Sequence, residues 1–138
     1  MVVGLVPPEE QERLYKRLIE YYKKLYPGIN FKREDRVLKK EQIGEIYYTY
    51  AGEEAEATAA EKIRMINSAI GSGYRTPIIL LRKAKAKKDV LIDGHRRVRV
   101  AWAQGLEWPA IIIIPDPETT FGIEAMIIGR VKDLYSKE

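Results

Sequence analysis

The chain contains no cysteine. Disulfides, thiolate metal sites and thiol catalysis are excluded with it. It contains one histidine, His95, and a lone imidazole argues against a dedicated transition-metal site. No stretch approaches the roughly 20 apolar residues of a membrane-spanning helix. The opening MVVGLVPPEE has neither a basic start nor an apolar segment long enough for a secretory signal. A cytoplasmic location with no membrane partner is expected. Glutamine and asparagine are scarce while lysine, glutamate and isoleucine abound, the composition of heat-adapted, thermophile proteins. Neither sign of charge dominates: 24 Lys and Arg against 20 Asp and Glu leave a formal net charge of +4. That permits an anionic partner, nucleotide or nucleic acid, without requiring one.

At 138 residues a single domain with a real core is expected. Residues 1–30 form an N-terminal helical extension. Its helix opens on Pro7, Pro8, Glu9 and Glu10 and stops at Pro27-Gly28. Leu14, Leu18, Tyr21, Tyr22 and Leu25 recur at helical spacing as its apolar stripe. DRVLKKEQI reads as a short strand near a sheet edge, and GEIYYTYAGEE is open between loop, strand and helix turn. Glu53 to Ala69 is rich in helix formers, with Gly71 to Gly73 as the stop. TPIILLRKAKAKKDVLID predicts two strands flanking a turn. Its RKAKAKK tract is read as a solvated hairpin end, with a phosphate-binding patch as the alternative. WPAIIIIP predicts a buried strand. Residues 118–138 are expected to form a C-terminal amphipathic helix over Gly122 to Leu134. No repeat or low-complexity segment is present.

The functional signal lies in VLIDGHRRVRVAWAQG. An apolar strand runs into Asp93 as candidate N-cap, Gly94 permits a tight turn, and a helix opens on His95, Arg96 and Arg97. Helix N-termini already carry partial positive charge, so cations there are mildly unfavourable. The arrangement makes sense with an anion bound. Backbone amides would cradle a phosphate and arginine forks would add charge-assisted bonds. Asp93 is the candidate to hold a divalent ion against phosphates. His95 is the candidate for hydrogen bonding or proton transfer. The plain alternative makes Arg96 and Arg99 a wet helix face and His95 a satisfied turn residue.

These residues resemble the ParB/sulfiredoxin superfamily from about Val37 to Ile114. The likeness rests on Gly73 to Pro77 before an apolar strand, then Gly94, Arg96 and Arg97 opening a helix. Ala101, Gly105 and Pro109 follow in order. The resemblance implies an α+β fold, a small mixed sheet with packed helices. Sulfiredoxins place a cysteine where His95 stands, which removes sulfinic acid reduction. The CTP-binding chromosome-partitioning members carry a Glu-Asn pair where Ile128 and Gly129 stand. The Asp-Gly-His-Arg-Arg box is similar to that of the free-serine kinase branch. That likeness implies phosphoryl transfer from ADP or ATP to a small hydroxyl acceptor with Mg²⁺. Asp93, Gly94, His95, Arg96 and Arg97 would then hold phosphates, and Gly73, Thr76 and Pro77 would border the base or ribose. Glu45 would be the general base, with Glu53 or Glu54 as alternatives in a context that differs from the family's.

Three readings stand at this point: a nucleotide-dependent kinase or hydrolase, a DNA- or RNA-binding module using the basic tract, and a nucleotide sensor without turnover. Nuclease action lacks a carboxylate cluster with metal-binding spacing.

Overall fold

The computed structural model describes residues 8–49 and 76–135. Helix α1 spans Pro8–Leu25, with Glu9 and Glu10 in its first turn and Lys23 and Lys24 in its last, both matched to the helix dipole. Strand β1 (Asn30–Leu38) leads to the short helix α2 (Lys40–Glu45) and strand β2 (Tyr47–Thr49). After residue 75, β3 (Ile78–Lys83) and β4 (Lys88–Asp93) form a hairpin. Helix α3 (His95–Gln104) and strand β5 (Trp108–Asp116) follow. A 3₁₀ turn at Gly122–Met126, strand β6 (Ile127–Arg130) and the one-turn helix α4 (Val131–Leu134) complete the order.

The fold is α+β around one mixed six-stranded sheet in the order β1-β5-β3-β4-β2-β6. Pairs β3–β5 and β4–β2 are parallel, whereas β1–β5, β3–β4 and β2–β6 are antiparallel. Strand side chains alternate between faces, and here both faces are covered. Ile78, Leu80, Leu91, Trp108, Ala110 and Ile112 pack with Ile43, Val98 and Ala101 from the helices after β1. Ile79, Leu81, Val90, Ile111 and Ile113 pack with Tyr22 of α1 and Phe121. Two-sided burial explains why β3 and β5 read as unbroken apolar runs rather than alternating ones. Each fully buried Leu or Ile contributes about 1.5–3 kcal/mol.

Helix α1 is therefore a layer of the fold, packed on its own sheet. Its buried stripe is rotated from the expected one: Tyr15, Ile19 and Tyr26 pack inward, while Tyr21 and Leu25 are about half exposed. The rotation brings Gln11, fully buried, to the sheet. Two further expectations are corrected. DRVLKKEQI is not one strand, because β1 stops at Leu38 and the Lys39 amide donates to Gln42 Oε1 at 2.9 Å to start α2. The C-terminal segment is not one amphipathic helix. β-branched Ile127 and Ile128 extend beside β2, and Gly129 at φ 149° lies outside helical geometry. The helix expected over Glu53 to Ala69 and its glycine stop lie outside the described residues. No helix among the described residues is long and apolar enough to cross a membrane.

Candidate functional site

Strand β4 ends beneath α3, and Gly94 makes the turn between them. Its φ of 103° is open to glycine, and an added Cβ would meet Ile78 Cγ2 at 2.6 Å. Conformation and contact both demand glycine here. Gly94 supplies no side-chain cap, and no acid stands in the first turn of α3. The Gly94 carbonyl accepts from the Val98 amide at 2.9 Å, closing the first turn. His95, Arg96 and Arg97 thus occupy the positive end of a ten-residue helix.

Arg97 does not point away from the protein. Its side chain is 12 % exposed. Nη1 donates to the carbonyls of Pro77 at 2.9 Å and Thr76 at 3.3 Å, and Nη2 donates to Asp93 Oδ2 at 2.9 Å. The Thr76 carbonyl also accepts from Trp108 Nε1 at 2.8 Å. One guanidinium therefore ties the start of β3 to the end of β4, a use that suits its planar fork of five donors. Asp93 is pulled toward this clasp. Its Oδ2 also accepts from Gln11 Nε2 of α1 at 2.8 Å. The expected N-cap role passes to Gly94, which occupies that position, and Asp93 joins three elements instead.

His95 is fixed from the other side. Thr49 Oγ1 donates to the Leu91 carbonyl at 2.9 Å and lies 2.8 Å from His95 Nε2. A hydroxyl has one proton and a carbonyl only accepts, so the proton between Thr49 and His95 sits on Nε2. The Tyr48 hydroxyl donates to the His95 carbonyl at 3.2 Å, and the Tyr48 ring meets the imidazole edge-on at 5.3 Å. Farther along α3, Arg99 lies over the Tyr135 ring at 4.9 Å, and Trp102 Nε1 donates to the Tyr135 carbonyl. Arg99 therefore has an aromatic partner and is not a bare wet face.

Of the candidate residues, Arg97 brings Asp93 together with Thr76 and Pro77. Glu45 stands apart from them. Parallel pairing aligns Tyr47 with Val90, so Glu45 lies level with the start of β4 while His95 lies beyond its end. The Glu45 carboxylate accepts from Lys132 Nζ at 2.5 Å and Arg130 Nη1 at 3.4 Å. The bond from Lys132 holds its carboxyl below the ordinary range, the wrong direction for a general base near neutral pH. Gly73, Glu53 and Glu54 lie outside the described residues.

No group of three or more His, Cys, Asp or Glu able to hold a metal occurs among the described residues. Asp93 alone matches a Mg²⁺ ion carried mainly by ligand phosphates, where one carboxylate is common. Gln11 and Thr49 are the polar partners that the sequence did not flag. Gln11 is a polar residue at helical spacing with Leu14, Leu18 and Tyr22 of the apolar stripe, and Thr49 sits in an aromatic run with no clear period. Comparisons with family models, curated proteins and solved structures return no match to this chain.

Proposed function

We propose that this chain binds the phosphates of a nucleotide over the first turn of α3, in the manner of the ParB/sulfiredoxin superfamily that its box resembles. The observation that carries the reading is the cationic opening of that helix: Gly94 as cap, no acid in the first turn, and His95, Arg96 and Arg97 in succession. Phosphate on such a turn gains backbone donors, the helix dipole and a guanidinium together. The two arginines would divide the labour. Arg97 holds the cradle's shape from within, through Asp93 and the Thr76 and Pro77 carbonyls. Arg96, beside it in the first turn, would be the arginine that meets phosphate. His95, donating through Nε2 to Thr49, is held in place at the opening of the helix.

Phosphoryl transfer from ADP or ATP to a small hydroxyl, or to water, asks chiefly for positioning and neutralised charge. Mg²⁺ would supply part of that neutralisation, bound by phosphate oxygens and the Asp93 carboxylate. Its arrival would compete with the bonds from Gln11 and Arg97 to Oδ2. Glu45 supplies no base at this place; in a second reading the nucleotide is sensed and not turned over.

A panel of nucleoside di- and triphosphates, with and without Mg²⁺, tests the first claim by thermal shift. A ligand at a hundred times its Kd adds about 2.7 kcal/mol of stability, a rise of several degrees. Arg96→Ala is expected to remove the rise while the far-ultraviolet circular dichroism stays unchanged. No shift with any nucleotide at millimolar concentration refutes the proposal. Mass spectrometry of the nucleotide after incubation with hydroxyl acceptors separates turnover from sensing.

A further inference from the structure

The opposite end of β4 holds a second concave site, distant from the box along the strand. A cavity of about 450 Å³ is lined by Tyr47 of β2, Arg82 and Lys83 of β3, Lys87 and Lys88 at the turn into β4, and Arg130 of β6. Glu45 and Asp89 complete its charged lining, so five cations face two carboxylates. That volume lies in the range of small-molecule sites. A hairpin end serving only solubility would fan its lysines outward. Here lysines of the hairpin converge with an arginine from a strand far away in sequence.

Some of these cations are already neutralised and form walls. Arg82 makes two bonds to Asp89, at 2.8 and 3.0 Å. Lys83 makes two to Glu124, at 3.0 and 3.1 Å, and both side chains are nearly buried. Others are held loosely. Arg130 reaches Glu45 at 3.4 Å and Asp133 at 3.1 Å, and both carboxylates are more than half exposed. Exposed pairs of that kind are weak and exchangeable. Lys88 lies 3.9 Å from Glu124 and 5.3 Å above the Tyr47 ring. Lys87 has no ion pair among the described residues.

Lys87 also has a positive φ of 53°, the one non-glycine residue so placed among those described. Glycine or asparagine would meet that backbone demand with less strain. The turn geometry itself therefore does not favour lysine at this position.

We propose that this cleft binds a compact, multiply charged phosphate ligand, with Lys87, Lys88 and Arg130 as its cationic contacts and the Tyr47 hydroxyl as a neutral donor. The site is separate from the box on α3. Its phosphates come either from a free polyphosphate chain or from the backbone of a nucleic acid strand.

Isothermal titration of the full chain at constant ionic strength, with inorganic tripolyphosphate in one arm and unstructured oligothymidylate in the other, tests the inference. Binding in at least one arm is expected, and the tighter arm identifies the source. Lys87→Gly and Arg130→Gln are each expected to weaken it by about tenfold, the equivalent of one charge-assisted bond. Lys87→Gly also relieves the backbone, so its melting temperature should hold or rise, which separates lost binding from lost folding. The titrations are made in the Arg96→Ala background, so that phosphate held at the box does not contribute to them. In that background, absence of binding in both arms overturns the inference, as does binding that survives both cleft variants. The box reading stands or falls separately, by its own nucleotide shifts.

Discussion

The two ends of β4 carry similar charge and use it in opposite ways. At the end that meets α3, a guanidinium is folded inward. Arg97 is nearly buried and spends its donors on two carbonyls and one carboxylate. At the hairpin end, cations stand around a cleft, and Arg130 is paired only with carboxylates that are more than half exposed. The lesson is that a run of arginines in sequence does not distinguish a ligand contact from a structural clasp. Buried donors that would be costly to leave unmet do distinguish them. Arg97, whose donors are met inside the fold, is a clasp by that criterion.

The sharpest way to break this contrast is at the hinge of the box end. Gly94→Ala adds a Cβ 2.6 Å from Ile78 Cγ2 at a φ of 103°. Overpacking and backbone strain together should cost roughly 3 kcal/mol, read as a lowered urea midpoint. A wild-type midpoint would show that the turn is not held against β3. Next in size, Arg97→Ala should cost about 2 kcal/mol, since it strips charged hydrogen bonds from Asp93 and two carbonyls. It should lower the melting temperature of the ligand-free protein, whereas a role confined to phosphate would leave that temperature alone.

The smallest effect concerns the exposed pairs. Glu12, Glu34 and Glu45 have carboxyls held below their ordinary value of 4.5 by hydrogen bonds from Arg33, Arg36 and Lys132 respectively. A lowered folded value means that the stabilisation is complete above about pH 4.5 and is lost as pH falls through the lowered values. The urea midpoint should therefore decline gently between pH 4.5 and pH 3. Solvent screening keeps the decline shallow for groups this exposed. A midpoint unchanged down to pH 3 would remove these pairs from any account of stability.

Much of the fold was legible because local signals agreed. Pro8, the acidic first turn and Pro27-Gly28 bracket α1, and the runs Ile78–Leu81 and Ile111–Ile114 have the length and branching of buried strands. The box was legible as strand, glycine and helix for the same reason. What escaped the sequence depends on contacts between distant residues. The inward turn of Arg97 is set by carbonyls twenty and more positions away. The displacement of Glu45 follows from parallel pairing of β2 with β4, which no local pattern encodes. The C-terminal segment has helical spacing, yet it finds a strand partner in β2, and pairing outweighs periodicity there.

The bond between Gln11 and Asp93 joins residues 82 positions apart. During synthesis α1 leaves the ribosome long before the sheet face that it covers exists, so its apolar side must wait without a partner. Chains are made at about 5–20 residues per second, and the wait is several seconds. Because closure of so long a loop comes late, the layer that completes the second core should be the last to settle.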